Sequence, residues 1–253
     1  MISPNQIKTL ANKYKINESV IVREFVQLTF LKELYAQKFS KNVFFKGGTA
    51  IRLLYGGERF SEDLDFTVQI KKQTFNNNLK IFFKKLSHQY PFKFKEEKTI
   101  TGKSYLLTAT IPNIKNNIFV KLDFSMRENV LEPTSNILRT EYPIIIQNFI
   151  NALSKDEILA EKIRAVLKRK KHRDLYDLWI LQELGAQINQ ELITKKLAYY
   201  HEKFDKKLLL DRLKTFNQDN FIQNLRPFIA INQRSKLEQL FEYIMVYLTN
   251  SFK

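Results

Sequence analysis

Residues 47–65 read Gly47-Gly48-Thr49-Ala50-Ile51-Arg52-Leu53-Leu54-Tyr55-Gly56-Gly57-Glu58-Arg59-Phe60-Ser61-Glu62-Asp63-Leu64-Asp65, and their types and spacing could do chemistry. A glycine pair follows the apolar run Val43-Phe44-Phe45 and opens a short amphipathic stretch. Glycine lets backbone amides approach an anion closely, and the first N–H groups of a helix have no partners within it. A strand, Gly47-Gly48, Thr49 and a helix in that order can therefore cradle phosphate, with the Thr49 hydroxyl as a further donor. The spacing Gly-x4-Gly-Lys-Ser/Thr is absent, so the turn is not a P-loop. A second glycine pair then leads to Asp63 and Asp65. In a strand these two carboxylates share one face. They repel each other unless a cation lies between them, and Mg²⁺ takes one or two carboxylates plus phosphate oxygens and water. Phosphate turn and metal platform together point to transfer of a nucleotidyl group.

Each of these signals also has a plain structural alternative. A glycine pair is usually only a turn, and an Asp-x-Asp can be a solvated strand face. Two neighbours shift the balance: Arg59 offers a cation and Ser61 a hydroxyl to phosphate, just upstream of the carboxylates. Asp123, in Phe119-Val120-Lys121-Leu122-Asp123-Phe124, is the candidate third carboxylate. It is a lone acid in a largely apolar strand, where an unpaired charge is costly. Lys121 or Arg127 as an ion-pair partner is its structural explanation, and a metal or catalytic role is its functional one.

Further along, Ser154 with Glu157 reads as a capping box, and Leu159, Ile163 and Val166 form the buried stripe of the helix that follows. From Lys162 to Arg173 there are seven Lys and Arg and no acid. Lys162 lies near the apolar stripe and can point into a cleft toward phosphate. The remaining cations suit a solvated face near a helix C-terminus. Asp174 and Asp177 share a face at i, i+3, and Asp174 alternatively caps the next helix. His172 reads as a surface residue, since no orienting acid accompanies it.

The elements that must position these groups are legible in outline. Helices are expected from Pro4, from Glu18 to Lys38, and from Thr74 to His88. Strands are expected at Val43–Phe45, Leu64–Ile70, Phe92–Phe94, Ser104–Ile111, Ile118–Ser125 and Tyr142–Ile146. Turns are expected at Thr101-Gly102-Lys103 and Asn113 to Asn117. From Ser154 the pattern is helical, with Gly185 as a helix stop. The fold class is α+β: a mixed sheet with flanking helices over residues 1–150, and a helical part over residues 151–253.

The chain has 253 residues, 21 of them Phe, so an aromatic-rich core is expected. Cysteine is absent, which excludes disulfides, thiolate metal sites and a Cys nucleophile. No run approaches the ~18 apolar residues of a membrane span, and the N-terminus lacks a signal pattern. A cytoplasmic protein is expected. The net charge of +16 is spread over both halves and favours a polyanion, with nucleic acid the usual candidate. General lysine enrichment explains the total equally well.

Gly47-Gly48-Thr49, Ser61-Glu62-Asp63-Leu64-Asp65-Phe66, and Leu159-Ala160-Glu161-Lys162 followed by Arg173-Asp174-Leu175-Tyr176-Asp177-Leu178 together resemble the AbiEii/AbiGii toxin family. These are nucleotidyltransferase-like toxins of bacterial toxin–antitoxin and phage-abortive systems, related to the MenT toxins. The resemblance spans roughly residues 20 to 185. It implies a polymerase-β-like nucleotidyltransferase core joined to a helical domain. It further implies Mg²⁺ (or Mn²⁺), an NTP substrate, an acceptor that is tRNA for some members, and a cognate antitoxin. Carried over, Gly48, Thr49 and Ser61 hold the triphosphate, and Asp63 and Asp65 bind the metal. Lys162 contacts the phosphates, Asp174 is a second essential acid, and Asp123 matches a third carboxylate of the wider superfamily. Two other readings stay open: transfer to a protein or small molecule, and a non-catalytic RNA-binding module.

Overall fold

The computed structural model describes residues 2–99, 102–112 and 114–253, so Thr101 and Asn113 of the expected turns lie outside the described residues. Two compact units emerge. The first runs up to Leu54 and resumes over Phe60–Leu153, and the second comprises Tyr55–Arg59 and Ser154–Lys253.

The first unit begins with α1 (Pro4–Tyr14), where Ser3 and Gln6 form a reciprocal capping box with Pro at the first turn. Helix α2 (Glu18–Tyr35) is buried on nearly every face. Its polar residues are matched accordingly. Glu24 pairs with Arg52, and Gln27 Nε2 donates to the Ser61 carbonyl at 3.1 Å. There follow β1 (Val43–Lys46), α3 (Gly47–Tyr55), β2 (Leu64–Val68) and α4 (Lys72–Gln89). Strands β3 (Phe92–Glu97), β4 (Lys103–Ala109), β5 (Ile118–Ser125), β6 (Pro133–Asn136) and β7 (Ile150–Leu153) complete a seven-stranded sheet. Its order is β3-β4-β5-β2-β1-β7-β6. It is mixed, because β2 runs parallel to β5 and β1 parallel to β7, while the other pairs are antiparallel.

Period-two alternation puts Leu64, Phe66, Val120, Leu122 and Phe124 on the buried face, where α2 packs on β5 and α4 on β3. Phenylalanine fills this layer. Phe66 stacks on Phe124 at 5.0 Å between ring centroids and Phe83 on Phe94 at 4.0 Å, while Phe30 touches Phe66, Phe82, Phe83 and Phe94. The opposite face carries the polar residues of the same strands, Asp65 and Asp123 among them.

Residues 142–146 form no strand. Pro143 has no amide for a ladder, and Tyr142 is instead buried with its hydroxyl donating to the Glu24 carboxylate at 2.8 Å. Strands β6 and β7 are unforeseen in the sequence. Each has four residues, and β6 (Pro-Thr-Ser-Asn) lacks any β-branched or aromatic alternation.

The second unit holds α5 (Lys155–Lys168), α6 (Arg173–Glu183), α7 (Gln190–Ala198), α8 (Lys206–Leu213), α9 (Gln218–Leu225) and α10 (Leu237–Ser251). Ser154 Oγ accepts from the Glu157 amide at 3.0 Å and starts α5. Gly185, at φ +84°, ends the turn after α6. Lys196 of α7 is fully buried and reaches Glu157 at 2.7 Å and Glu161 at 3.0 Å, tying α7 to α5. Among the described residues no helix is long and apolar enough to cross a membrane.

Candidate active site

Strand β1 delivers the chain into Gly47, whose φ of +80° lies in the left-handed region that disfavours side chains. Space makes a second demand: a Cβ at this position would collide with the Asp65 carboxylate. The glycine bend and one member of the acidic pair are thus in direct apposition. Lys46 and Asp65 also face each other in the β1–β2 register. Gly48 and Thr49 are buried in the first turn of α3, and Thr49 Oγ1 donates to the Asp63 carbonyl. That bond fixes the helix start against the residue just before β2. Ser61 is half-buried in the preceding turn, its carbonyl held by Gln27.

The third carboxylate arrives through topology. Strands β2 and β5 are parallel neighbours, and their register sets Asp65 opposite Asp123. Residues opposite one another project to the same side, so Asp65 and Asp123 share the polar face of the sheet. Lys121 Nζ lies 2.9 Å from Asp123 Oδ2, the ion pair anticipated as the structural explanation of that acid. Partial burial works against the Lys121 ammonium. Hydrogen bonding and charge from Asp123, then the charges of Asp63 and Glu97, outweigh it and raise its pKa. Lys121 thus offsets part of the negative charge of this acidic face.

Among the described residues no group of three or more His, Cys, Asp and Glu gathers as a metal cage. Asp63 and Asp65 still fit a hydrated divalent ion, which needs one or two carboxylates and completes its shell with substrate oxygens and water. The bend at Gly47 has to stay free of a side chain because the Asp65 carboxylate already occupies the place a Cβ would take.

The second unit contains its own charged cluster. Arg59 is buried and gives Asp177 two hydrogen bonds, at 2.6 and 2.7 Å. Lys162 Nζ lies 2.8 Å from Asp174 and 2.6 Å from Asp177, and Arg169 adds bonds of 2.9 and 3.1 Å to Asp174. Arg59, read from sequence as a phosphate ligand beside Ser61, is thus engaged by a carboxylate. Asp174 is no cap: it sits inside α6 with its side chain turned to Lys162 and Arg169. Burial alone raises the pKa of Asp174 and of Asp177. The adjoining cations more than reverse this, Lys162 and Arg169 for the first, Arg59 and Lys162 for the second, so both carboxyls end below the usual range. Burial likewise opposes the Lys162 ammonium, and Asp174 and Asp177 hold it charged.

Asp177 is the member that sequence reasoning undervalued. The Asp-x-x-Asp spacing was its signal, since both carboxylates had to lie on one helix face. His172 is a correction: it is buried, not exposed, and packs edge-on against Phe216 at 5.1 Å. Its Nε2 accepts from the Asn217 amide at 3.5 Å. Desolvation first, then the charge of Lys170, lowers its pKa and favours the neutral ring.

The family described as "Nucleotidyl transferase AbiEii toxin, Type IV TA system" matches residues 29–240. Among solved structures, the fold is similar to MenT4, a nucleotidyltransferase toxin from Mycobacterium tuberculosis H37Rv. That likeness has a TM-score of 0.64 and 16% identity, covering 96% of this chain and 90% of that one. It is also similar to JHP933 from Helicobacter pylori, with a TM-score of 0.52 and 21% identity over 93% of this chain and 95% of that one. No curated protein sequence matches the chain significantly.

Proposed function

Because the chain belongs to the AbiEii nucleotidyl transferase toxin family, we propose that it moves a nucleoside monophosphate from an NTP to an RNA acceptor such as tRNA. The reading includes dependence on Mg²⁺ or Mn²⁺, action in the cytoplasm, and neutralisation by a cognate antitoxin. One observation carries it: the Gly47 bend lies directly against the Asp65 carboxylate, so phosphate and cation have a common place to meet.

In this proposal Gly47 and Gly48 admit the triphosphate, and Thr49, tied to the Asp63 carbonyl, keeps the start of α3 aimed at it. Ser61 adds a hydroxyl. Asp63 and Asp65 hold the divalent ion, which supplies charge to offset the negative charge developing on the phosphates. The acceptor hydroxyl attacks the α-phosphorus in line, a new P–O bond forms, and the α–β bridge breaks to release pyrophosphate. Asp123, opposite Asp65, takes the hydroxyl proton. Lys162 and Asp174 keep the roles of phosphate contact and second essential acid.

The test is incubation with tRNA, each α-labelled NTP and Mg²⁺. Label should enter RNA with wild-type protein and vanish with chelator or with Asp63→Ala plus Asp65→Ala. Transfer that persists in the double variant rejects the assigned site. Label found on protein or on a small molecule rejects RNA as acceptor.

A further inference from the structure

The polar face that bears Asp65 and Asp123 continues outward over β5, β4 and β3, and the ladder registers arrange it in transverse rows. The row through the carboxylates is Glu97, Ser104 and Asp123. The next is Lys95, Leu106 and Lys121, and the outermost is Lys93, Thr108 and Phe119. The core side of these strands is closed by aromatic packing, so Lys93 and Lys95 project from the other side. Both are exposed, and neither has an ion-pair partner among the described residues. Phe119 is a large apolar ring 49% exposed, near the start of β5 on its polar face.

A structural account covers only part of this. Lysines on β3 blunt an edge strand against pairing with another chain. That does not explain a bare phenylalanine two strands in, nor why the cations lie beyond the carboxylates on the same surface. Proteins that hold a single strand of nucleic acid combine cations that track the backbone with aromatic rings on which bases stack. Rows two residues apart are separated by about 7 Å, which sets Phe119 ~13 Å from Asp123. This is the reach of a strand whose terminal hydroxyl is at the carboxylates and whose preceding bases lie back along β5.

We propose that the outer face of β3, β4 and β5 is the track for the single-stranded end of the RNA acceptor, with Phe119 as the stacking ring and Lys93 and Lys95 as phosphate contacts. The assignment rests on the nucleotidyl-transfer reading for its direction, with the 3′ hydroxyl at Asp65 and Asp123. As a binding surface it can be tested separately.

The experiment uses the full chain, a fluorescein-labelled single-stranded RNA of about 12 nucleotides, and anisotropy in chelator without NTP. Lys93→Ala with Lys95→Ala is expected to weaken binding and to flatten the dependence of log K on log salt by about 1.4, two contacts at about 0.7 each. Phe119→Leu should weaken binding roughly 5- to 150-fold, while Phe119→Tyr, which keeps a ring, should restore it. All three positions changed are at the surface, so circular dichroism and unfolding midpoints should stay at wild-type values. In the transfer assay the same variants should raise KM for RNA and leave KM for NTP unchanged. Wild-type affinity and salt slope in both variants overturn the track, leaving the lysines as edge protection, even if transfer to RNA is observed. Track-dependent RNA binding by a protein that transfers no nucleotide keeps the track and refutes the enzymatic reading instead.

Discussion

Replacing Gly47 by alanine tests the apposition on which the active-site assignment depends, and the chain contains its own control. Gly47 and Gly56 have nearly the same positive φ, +80° and +84°. A Cβ at Gly56 meets nothing within 4 Å, whereas one at Gly47 meets the Asp65 carboxylate. Gly56→Ala therefore carries only the conformational cost of a left-handed L-residue, about 1–2 kcal/mol. For a chain of this size that lowers the unfolding midpoint by roughly 2–8 °C. Gly47→Ala carries the same cost plus that of forcing a methyl into an occupied space, typically about 1–3 kcal/mol more. Its effect on chemistry should exceed its effect on stability. A displacement of about 1 Å at a reacting group can lower the rate on the order of 100-fold, and Asp65 has to move. The assay pairs thermal unfolding by circular dichroism with metal-dependent label transfer at a temperature where both variants are folded. Gly56→Ala should keep near wild-type turnover, and Gly47→Ala should lose most of it. Equal midpoints and equal turnover in the two variants would show that Asp65 does not press on the glycine bend, and the shared phosphate and metal site would fall with it.

Other outcomes follow from the charged clusters. Asp177→Asn leaves Arg59 and Lys162 buried with one fewer counter-charge, so stability should drop by about 3–5 kcal/mol, measured by urea unfolding. Asp174 and Asp177 both titrate lower in the folded chain than in the unfolded one. The unfolded state therefore binds more protons between those values. Their stabilisation is complete above the ordinary carboxylate range and is lost as pH falls through the depressed folded values. Unfolding midpoints should decline below about pH 4, and Asp174→Asn should flatten the decline. Lys121→Met removes a unit charge beside the carboxylates. Mn²⁺ binding by calorimetry should tighten by on the order of 1 kcal/mol, about fivefold, and unchanged binding would place the ion away from Lys121.

Local pattern determined what depends on spacing along the chain. Alternation placed Asp65 on the polar face of β2, with Asp63 just before the strand, Gly47-Gly48 read as a turn into a helix, and Ser154 marked the start of α5. These are consequences of the two- and 3.6-residue periods and of side-chain size, which a sequence states directly. The family motifs were equally legible, and the match over residues 29–240 follows them. Strand partners were not. Nothing near Asp123 says that β5 lies parallel to β2 in the register that faces it with Asp65, or that Lys121, not Arg127, neutralises it. The direction of Arg59 is likewise decided by Asp177, 118 positions away. The burial of His172 comes from packing against Phe216, and the loss of a strand at Tyr142 comes with the use of its hydroxyl by Glu24. Each outcome turns on which distant surfaces exclude water together. Desolvation makes a charge or hydroxyl choose whichever partner the fold brings within reach, and periodicity carries no information about distant partners.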